Sequence, residues 1–103
     1  MKMHHPDNNK KELTFTDHTF HGSLEELRDV IMTILRNGGC EYESKYLLPE
    51  VEFYHLTLNG TRFYIMTDNF DRTGCVIITN EEETMVLIEK IFTDAGIEWY
   101  TSD

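Results

Sequence analysis

The residues with the greatest capacity for chemistry are the histidines and cysteines, of which the chain has 5 and 2. His18 and His21 are three residues apart, a spacing that could present two imidazoles to one zinc ion. A structural zinc site usually adds cysteines in closely spaced pairs. Neither Cys40 nor Cys75 has a nearby cysteine. The pattern therefore predicts no metal site, and no cofactor motif accompanies it.

No serine or cysteine stands in a pattern typical of a catalytic nucleophile. Ser23 begins the segment Ser-Leu-Glu-Glu, a capping box that explains the serine as the start of a helix. Cys40 precedes a predicted strand, so no helix N-terminus would activate its thiol. The segment 68–71 lacks the glycine and the distal glutamate of a calcium loop. We therefore expect a protein without catalytic residues, cofactor or metal, which is not an enzyme.

Charge is unevenly distributed along the chain. The sequence has 9 basic and 19 acidic residues and a net charge of −10. Residues 1–11 hold three lysines and one aspartate, so residues 12–103 hold the remaining 6 basic and 18 acidic groups. A body this acidic repels phosphate backbones, which argues against direct nucleic-acid binding, and it attracts basic proteins. The alternative is that the acidity serves only solubility.

The sequence also predicts a cytoplasmic protein. No apolar run approaches the roughly 18 residues of a membrane span. The segment 1–12 is polar and does not resemble a signal peptide. Two cysteines do not make a disulfide framework, which favours a reducing compartment.

The strongest structural signal is the segment Val51–Asp68, in which two β-rich runs flank Asn59-Gly60. This dipeptide favours a two-residue hairpin turn, because both of its residues tolerate positive φ. A two-residue loop fixes the register and so separates two faces. The face predicted to pack under helices carries Tyr54, Leu56, Leu58, Phe63 and Ile65. The second face carries Val51, Phe53, His55, Thr57, Arg62, Tyr64, Met66 and Asp68.

The remaining periodicities predict an α+β fold. Amphipathic helices are expected over 24–37 and from a cap at Asn80 to about Gly96. Strands are expected near 12–17, 40–47, 75–79 and 97–101, in addition to the hairpin. The predicted order is β-α-β-β-β-β-α-β, with a mainly antiparallel sheet of five to six strands packed with two helices. Residues 1–11 are predicted to be a flexible arm and 12–103 a single domain.

The second hairpin face provides the candidate binding site. The site joins three large apolar residues of this face to four carboxylates predicted near its rim, at the end of the hairpin opposite the turn: Phe53, Tyr64, Met66, Glu50, Glu52, Asp68 and Asp71. An apolar centre within an acidic ring suits a partner that presents arginine or lysine. Two alternatives stay open. A helix could cover each face, which would make the aromatic residues ordinary core, and the carboxylates could serve local turns.

These observations favour a small acidic protein-binding module. We expect an inhibitor or immunity protein of bacterial or phage origin that neutralises a basic nuclease-type toxin or another nucleic-acid-binding protein. The first alternative is a structural or regulatory subunit that forms a homodimer through edge strands, for which Leu13–Thr16 and Ile97–Thr101 are the candidates. The second is a small-molecule binder or enzyme with a pocket between the second helix and the sheet.

Overall fold

A computed structural model describes residues 1–16, 23–49, 51–68 and 75–100. Within these ranges the strands and α-helices are β1 (Lys2–His4), β2 (Glu12–Thr16), α1 (Leu24–Asn37), β3 (Glu41–Leu47), β4 (Val51–Leu58), β5 (Thr61–Asp68), β6 (Cys75–Ile78), α2 (Glu82–Asp94) and β7 (Glu98–Trp99), and a short 3₁₀ helix spans Pro6–Asn8. The strands form one sheet in the order β3-β4-β5-β6-β2-β1-β7. All neighbours are antiparallel except β1 and β7. The predicted α+β class is confirmed, with seven described strands instead of five to six.

The β4–β5 hairpin has the predicted register. Leu58 pairs with Thr61 and Tyr54 with Ile65. Asn59 and Gly60 adopt φ values of 52° and 82°, as a type I′ turn requires. All five side chains predicted to lie under the helices are buried.

The first residues of the chain belong to the sheet, so the prediction of an arm outside the fold is wrong for Lys2–His4. β1 pairs with β2 on one side and with β7 on the other. Met3 is 0% exposed and belongs to the hydrophobic core. A three-residue strand among polar residues has little signal of its own, because its stability comes from the two strands beside it.

The two predicted edge strands have different outcomes. β2 is not an edge, since it lies between β6 and β1, and Leu13 is fully buried. β7 is an edge, as predicted. The other edge is β3, whose seven residues are all exposed.

Both helices pack on the same face of the sheet. Ile31 and Leu35 of α1 join Met85, Ile88 and Phe92 of α2 in one buried cluster with the helix-facing residues of the strands. α1 begins as predicted, with the Ser23 hydroxyl accepting a hydrogen bond from the backbone N–H of Glu26. α2 begins at Glu82, so the predicted cap at Asn80 is wrong. The two helices approach closely where Gly38 meets Ile91.

Candidate functional site

The side of the sheet opposite the helices, here called the outer face, is the region where the predicted site can be tested. On β3–β6 its residues are Glu41, Ser44, Tyr46, Val51, Phe53, His55, Thr57, Arg62, Tyr64, Met66, Val76 and Ile78. Both described helices pack on the opposite side. The alternative in which one helix covers each face is therefore wrong for the described part of the chain. Towards the middle of the sheet Val76 and Thr14 are buried, so the accessible part of the outer face is its β3–β5 end.

Aromatic and apolar side chains cluster at this end. Phe53 pairs across the sheet with Met66 on one side and Tyr46 on the other. The rings of Phe53 and Tyr64 meet edge to face, with centroids 5.6 Å apart, and His55 stacks on Tyr64 at 6.0 Å. Tyr46 is 59% exposed, and the others are partly buried. The three apolar residues predicted for the site therefore share one accessible face.

Glu52 is the one of the four predicted carboxylates whose side chain lies within the described residues, and it lies elsewhere. Glu52 pairs with Thr67 on the helix side of the sheet and contacts α1. This placement contradicts the prediction that Glu52 flanks Phe53 and Met66. Glu50 and Asp71 lie outside the described residues, and Asp68 is placed only through its backbone pairing with Val51.

Glu52 belongs instead to a compact polar group, the Arg28 cluster, formed by Arg28, Glu52 and Tyr54. Arg28 Nη1 lies 3.2 Å from Glu52 Oε2 and donates to the Tyr54 hydroxyl at 2.7 Å. The Tyr54 hydroxyl donates in turn to Glu52. Burial, followed by the hydrogen bond with Glu52, raises the pKa of Tyr54 to about 12. The cluster joins α1 to β4, so the Glu52 carboxylate is occupied within the fold.

Two carboxylates that sequence reasoning missed do lie on the outer face. Glu41 pairs with Thr57, and Glu43 Oε2 accepts from Arg62 Nε at 2.8 Å. The register of β3 shifts between Tyr42 and Ser44, and this bulge brings Glu43 to the side of Arg62. An exposed pair of this kind contributes about 0.2–1 kcal/mol, so Glu43 can exchange Arg62 for another cation at little cost.

The histidines and cysteines form no catalytic or metal centre among the described residues. His18 and His21 lie outside those residues. Cys40 and Cys75 are free and buried, and burial raises the pKa of Cys40 to about 11 and that of Cys75 to about 12. Both thiols therefore stay protonated near neutral pH, the form that is not nucleophilic. No group of three potential metal ligands is present in the described ranges.

Three further observations bear on function. No helix in the described ranges is long and apolar enough to cross a membrane. The described residues of the outer face combine the exposed Tyr46 and the partly buried rings of Phe53 and Tyr64 with the carboxylates of Glu41 and Glu43. Comparisons with protein-family models, with curated proteins and with solved structures found no match.

Proposed function

We propose that this protein is a small acidic protein-binding module that holds a basic protein against the β3–β5 end of its outer face. The observation that carries the proposal is the packing of both helices on one side of the sheet, which leaves Tyr46, Phe53 and Tyr64 accessible on the other. Tyrosine, phenylalanine and methionine are enriched in interface centres. Glu41 and Glu43 beside them supply charge for a lysine or arginine of the partner.

The role that fits this chemistry best is that of an inhibitor or immunity protein for a nuclease-type toxin, in a bacterial or phage setting. A nuclease needs a basic cleft to bind the phosphates of its substrate. A body with a net charge of −10 competes for such a cleft and speeds the encounter at low salt. Two free, buried thiols agree with a cytoplasmic location, which is part of this proposal.

The test uses the nuclease encoded beside the gene, if one is present, or a panel of basic nuclease domains. Affinity and inhibition are measured for the wild-type protein, for Phe53→Ala and for the charge reversal Glu41→Lys with Glu43→Lys. We expect each change to weaken binding by roughly tenfold or more, because central aromatic anchors and desolvated charges dominate interface energies. Binding should also weaken as salt is raised.

The control is Glu83→Lys, an exposed carboxylate on α2, on the other side of the sheet. It reverses one carboxylate, which is half the charge change of the double variant, away from the outer face, so we expect it to reduce the association rate slightly and to leave dissociation unchanged. Inhibition that survives both outer-face changes would exclude this surface. Absence of binding to every basic protein tested would exclude the proposed role.

A second candidate function, a structural or regulatory subunit that self-associates, is favoured by the β3 edge. Tyr46 and Leu47 at the end of β3, and Leu48 directly after it, are exposed large apolar residues, and the outer side of β3 has no described neighbour. The bulge at Glu43 opposes pairing over the first half of β3, and the charge of Lys45 opposes it in the second half. A dimer that persists in high salt and dissociates on Leu47→Lys would support this function, whereas a monomer at high concentration would exclude it.

A further inference from the structure

A groove of about 630 Å³ lies at the β7 end of the sheet, away from the β3–β5 surface. Its walls come from three parts of the chain: the end of β1 with the segment that follows it, α2 between Glu82 and Glu89, and the end of β7 with the residue that follows it. The residues that matter for its chemistry are His5, Lys10, Glu82, Glu89, Trp99 and Tyr100. A volume of this size falls within the range of roughly 300–1,000 Å³ typical of ligand pockets.

The floor of the groove is a largely buried histidine–glutamate pair. His5 Nε2 lies 2.6 Å from Glu89 Oε1, and the two side chains are 10% and 19% exposed. His5 Nδ1 lies 2.7 Å from the carbonyl oxygen of Glu12. Both ring nitrogens therefore face acceptors, and the ring satisfies both when it carries two N–H protons. This arrangement fixes the position of the Glu89 carboxylate beneath the groove.

Two aromatic side chains stand at the rim. Trp99 and Tyr100 are 39% and 44% exposed, although large aromatic residues are usually more buried. The Trp99 ring lies 5.3 Å from the His5 ring, and the Tyr100 ring lies 6.0 Å from the His4 ring. The rings are therefore supported from one side, while a large part of their surface is left to solvent. The exposed face of an aromatic ring attracts cations, most strongly in tryptophan.

The charges at the groove favour a cation over an anion. Glu82 and Glu89 are the acidic residues that line the groove; Glu89 is paired with His5, and the exposed Lys10 also lines the groove. Glu81, Glu82 and Glu83 are exposed around the first turn of α2, where they offset the positive end of the helix dipole. The net charge of −10 adds to the attraction for cations. These same charges would repel a phosphate or carboxylate ligand.

From these features we infer that the groove binds a single basic side chain of another polypeptide. The lysine ammonium or arginine guanidinium lies over Trp99 and Tyr100 and pairs with Glu82, while Glu89 stays paired with His5. This site does not depend on the outer face, so either proposal can fail without the other.

The test uses Trp99, the single tryptophan of the chain, whose emission reports on this groove. The protein is titrated with the capped tripeptide acetyl-Gly-Lys-Gly-amide and with the same peptide carrying an acetylated lysine side chain. We expect a saturable change in Trp99 emission with the charged peptide and no change with the acetylated peptide. Glu82→Gln should weaken binding by about threefold or more, as expected for loss of one partly exposed ion pair.

Glu83→Gln is the matched control. It removes the same charge from the residue next to Glu82, and the Glu83 side chain does not line the groove. We expect the affinity of Glu83→Gln to equal that of the wild type, and Phe53→Ala on the outer face to bind equally well. Calorimetric titration of Tyr100→Leu should show a loss of affinity while its thermal unfolding stays cooperative. Equal binding of the acetylated peptide, equal effects of Glu82→Gln and Glu83→Gln, or no saturable signal would each overturn the inference.

Discussion

The contact between α1 and α2 at Gly38 predicts a destabilising substitution whose cause can be isolated. A Cβ atom at position 38 would overlap Ile91 Cγ2 and lie 2.9 Å from Ile91 Cγ1. Gly38 has φ of −86°, which alanine adopts without strain, so the cost comes from steric overlap. Overpacking typically costs about 1–3 kcal/mol, and the lower entropy of the unfolded alanine chain returns about 0.4–1 kcal/mol. We expect Gly38→Ala to lower the free energy of unfolding by about 1–2 kcal/mol.

The partner substitution tests the origin of that loss. Ile91→Ala removes both overlapping Cγ atoms and leaves only a Cβ contact at 3.2 Å. By itself it should cost about 1–2 kcal/mol, below the usual range for a fully buried isoleucine, because Ile91 is partly buried. In the double variant the overlap is absent. The double variant should therefore be about 1–3 kcal/mol more stable than the sum of the single effects, which is the cost of the overlap itself. Urea unfolding followed by far-ultraviolet circular dichroism measures all four proteins.

Gly39→Ala provides the control. Gly39 has φ of +102°, and a Cβ there would meet no atom within 4 Å, so alanine is strained by its backbone alone. Its cost should add to that of Ile91→Ala. If the changes in the free energy of unfolding caused by Gly38→Ala and Ile91→Ala are also additive, within about 0.5 kcal/mol, the helices do not meet as described. Their placement on one side of the sheet, on which the accessible outer face depends, would then be wrong.

Three further predictions concern stability. Tyr54→Phe removes the hydroxyl from the Arg28 cluster and should cost about 1–2 kcal/mol in urea unfolding; a neutral effect would show that the cluster does not hold α1. Burial raises the pKa of Cys40 to about 11 and that of Cys75 to about 12, so the unfolded chain ionises first. The buried protonated thiols should contribute fully to the free energy of unfolding below about pH 8.5. That contribution should be lost as pH rises towards 12, by about 1.4 kcal/mol per pH unit for each thiol. A urea midpoint that does not change between pH 8 and 11 would contradict their burial. Ser23→Ala should cost about 1 kcal/mol through loss of the α1 cap, measured by thermal unfolding, and no change would show that the cap is not formed.

The β4–β5 hairpin was predictable because its determinants are local. Asn59 and Gly60 set the turn, and the alternation on either side decides which side chains face the core. The capping box at Ser23 and the paired glycines after Asn37 define α1 in the same way. Each of these signals acts within a few residues, so no knowledge of the tertiary arrangement was needed.

The features that were missed depend on contacts distant in sequence. The amphipathic pattern of the two helices predicts that each packs its apolar side on the sheet, but it does not indicate that both pack on the same face. The sequence pattern at Phe53 and Tyr64 is therefore equally compatible with a core position and with a surface position. Glu52 alternates onto the helix side, but its pairing with Arg28 depends on where α1 crosses β4. The bulge that redirects Glu43 could not be predicted, because β3 has no glycine or proline that would indicate it.

The pairing of β1 with β7 joins nearly the whole described length of the chain. Lys2 lies opposite Glu98, and the Tyr100 N–H donates to the Met3 carbonyl at 2.9 Å. Contacts this distant carry the largest loop-closure entropy, and we expect them among the last to form during folding. Trp99 and Tyr100 of this closing segment hold the basic side chain in the proposal above, so the bound ligand would stabilise the paired form. Slower hydrogen exchange of the Tyr100 amide in the presence of the lysine peptide would reveal that coupling between recognition and closure of the sheet.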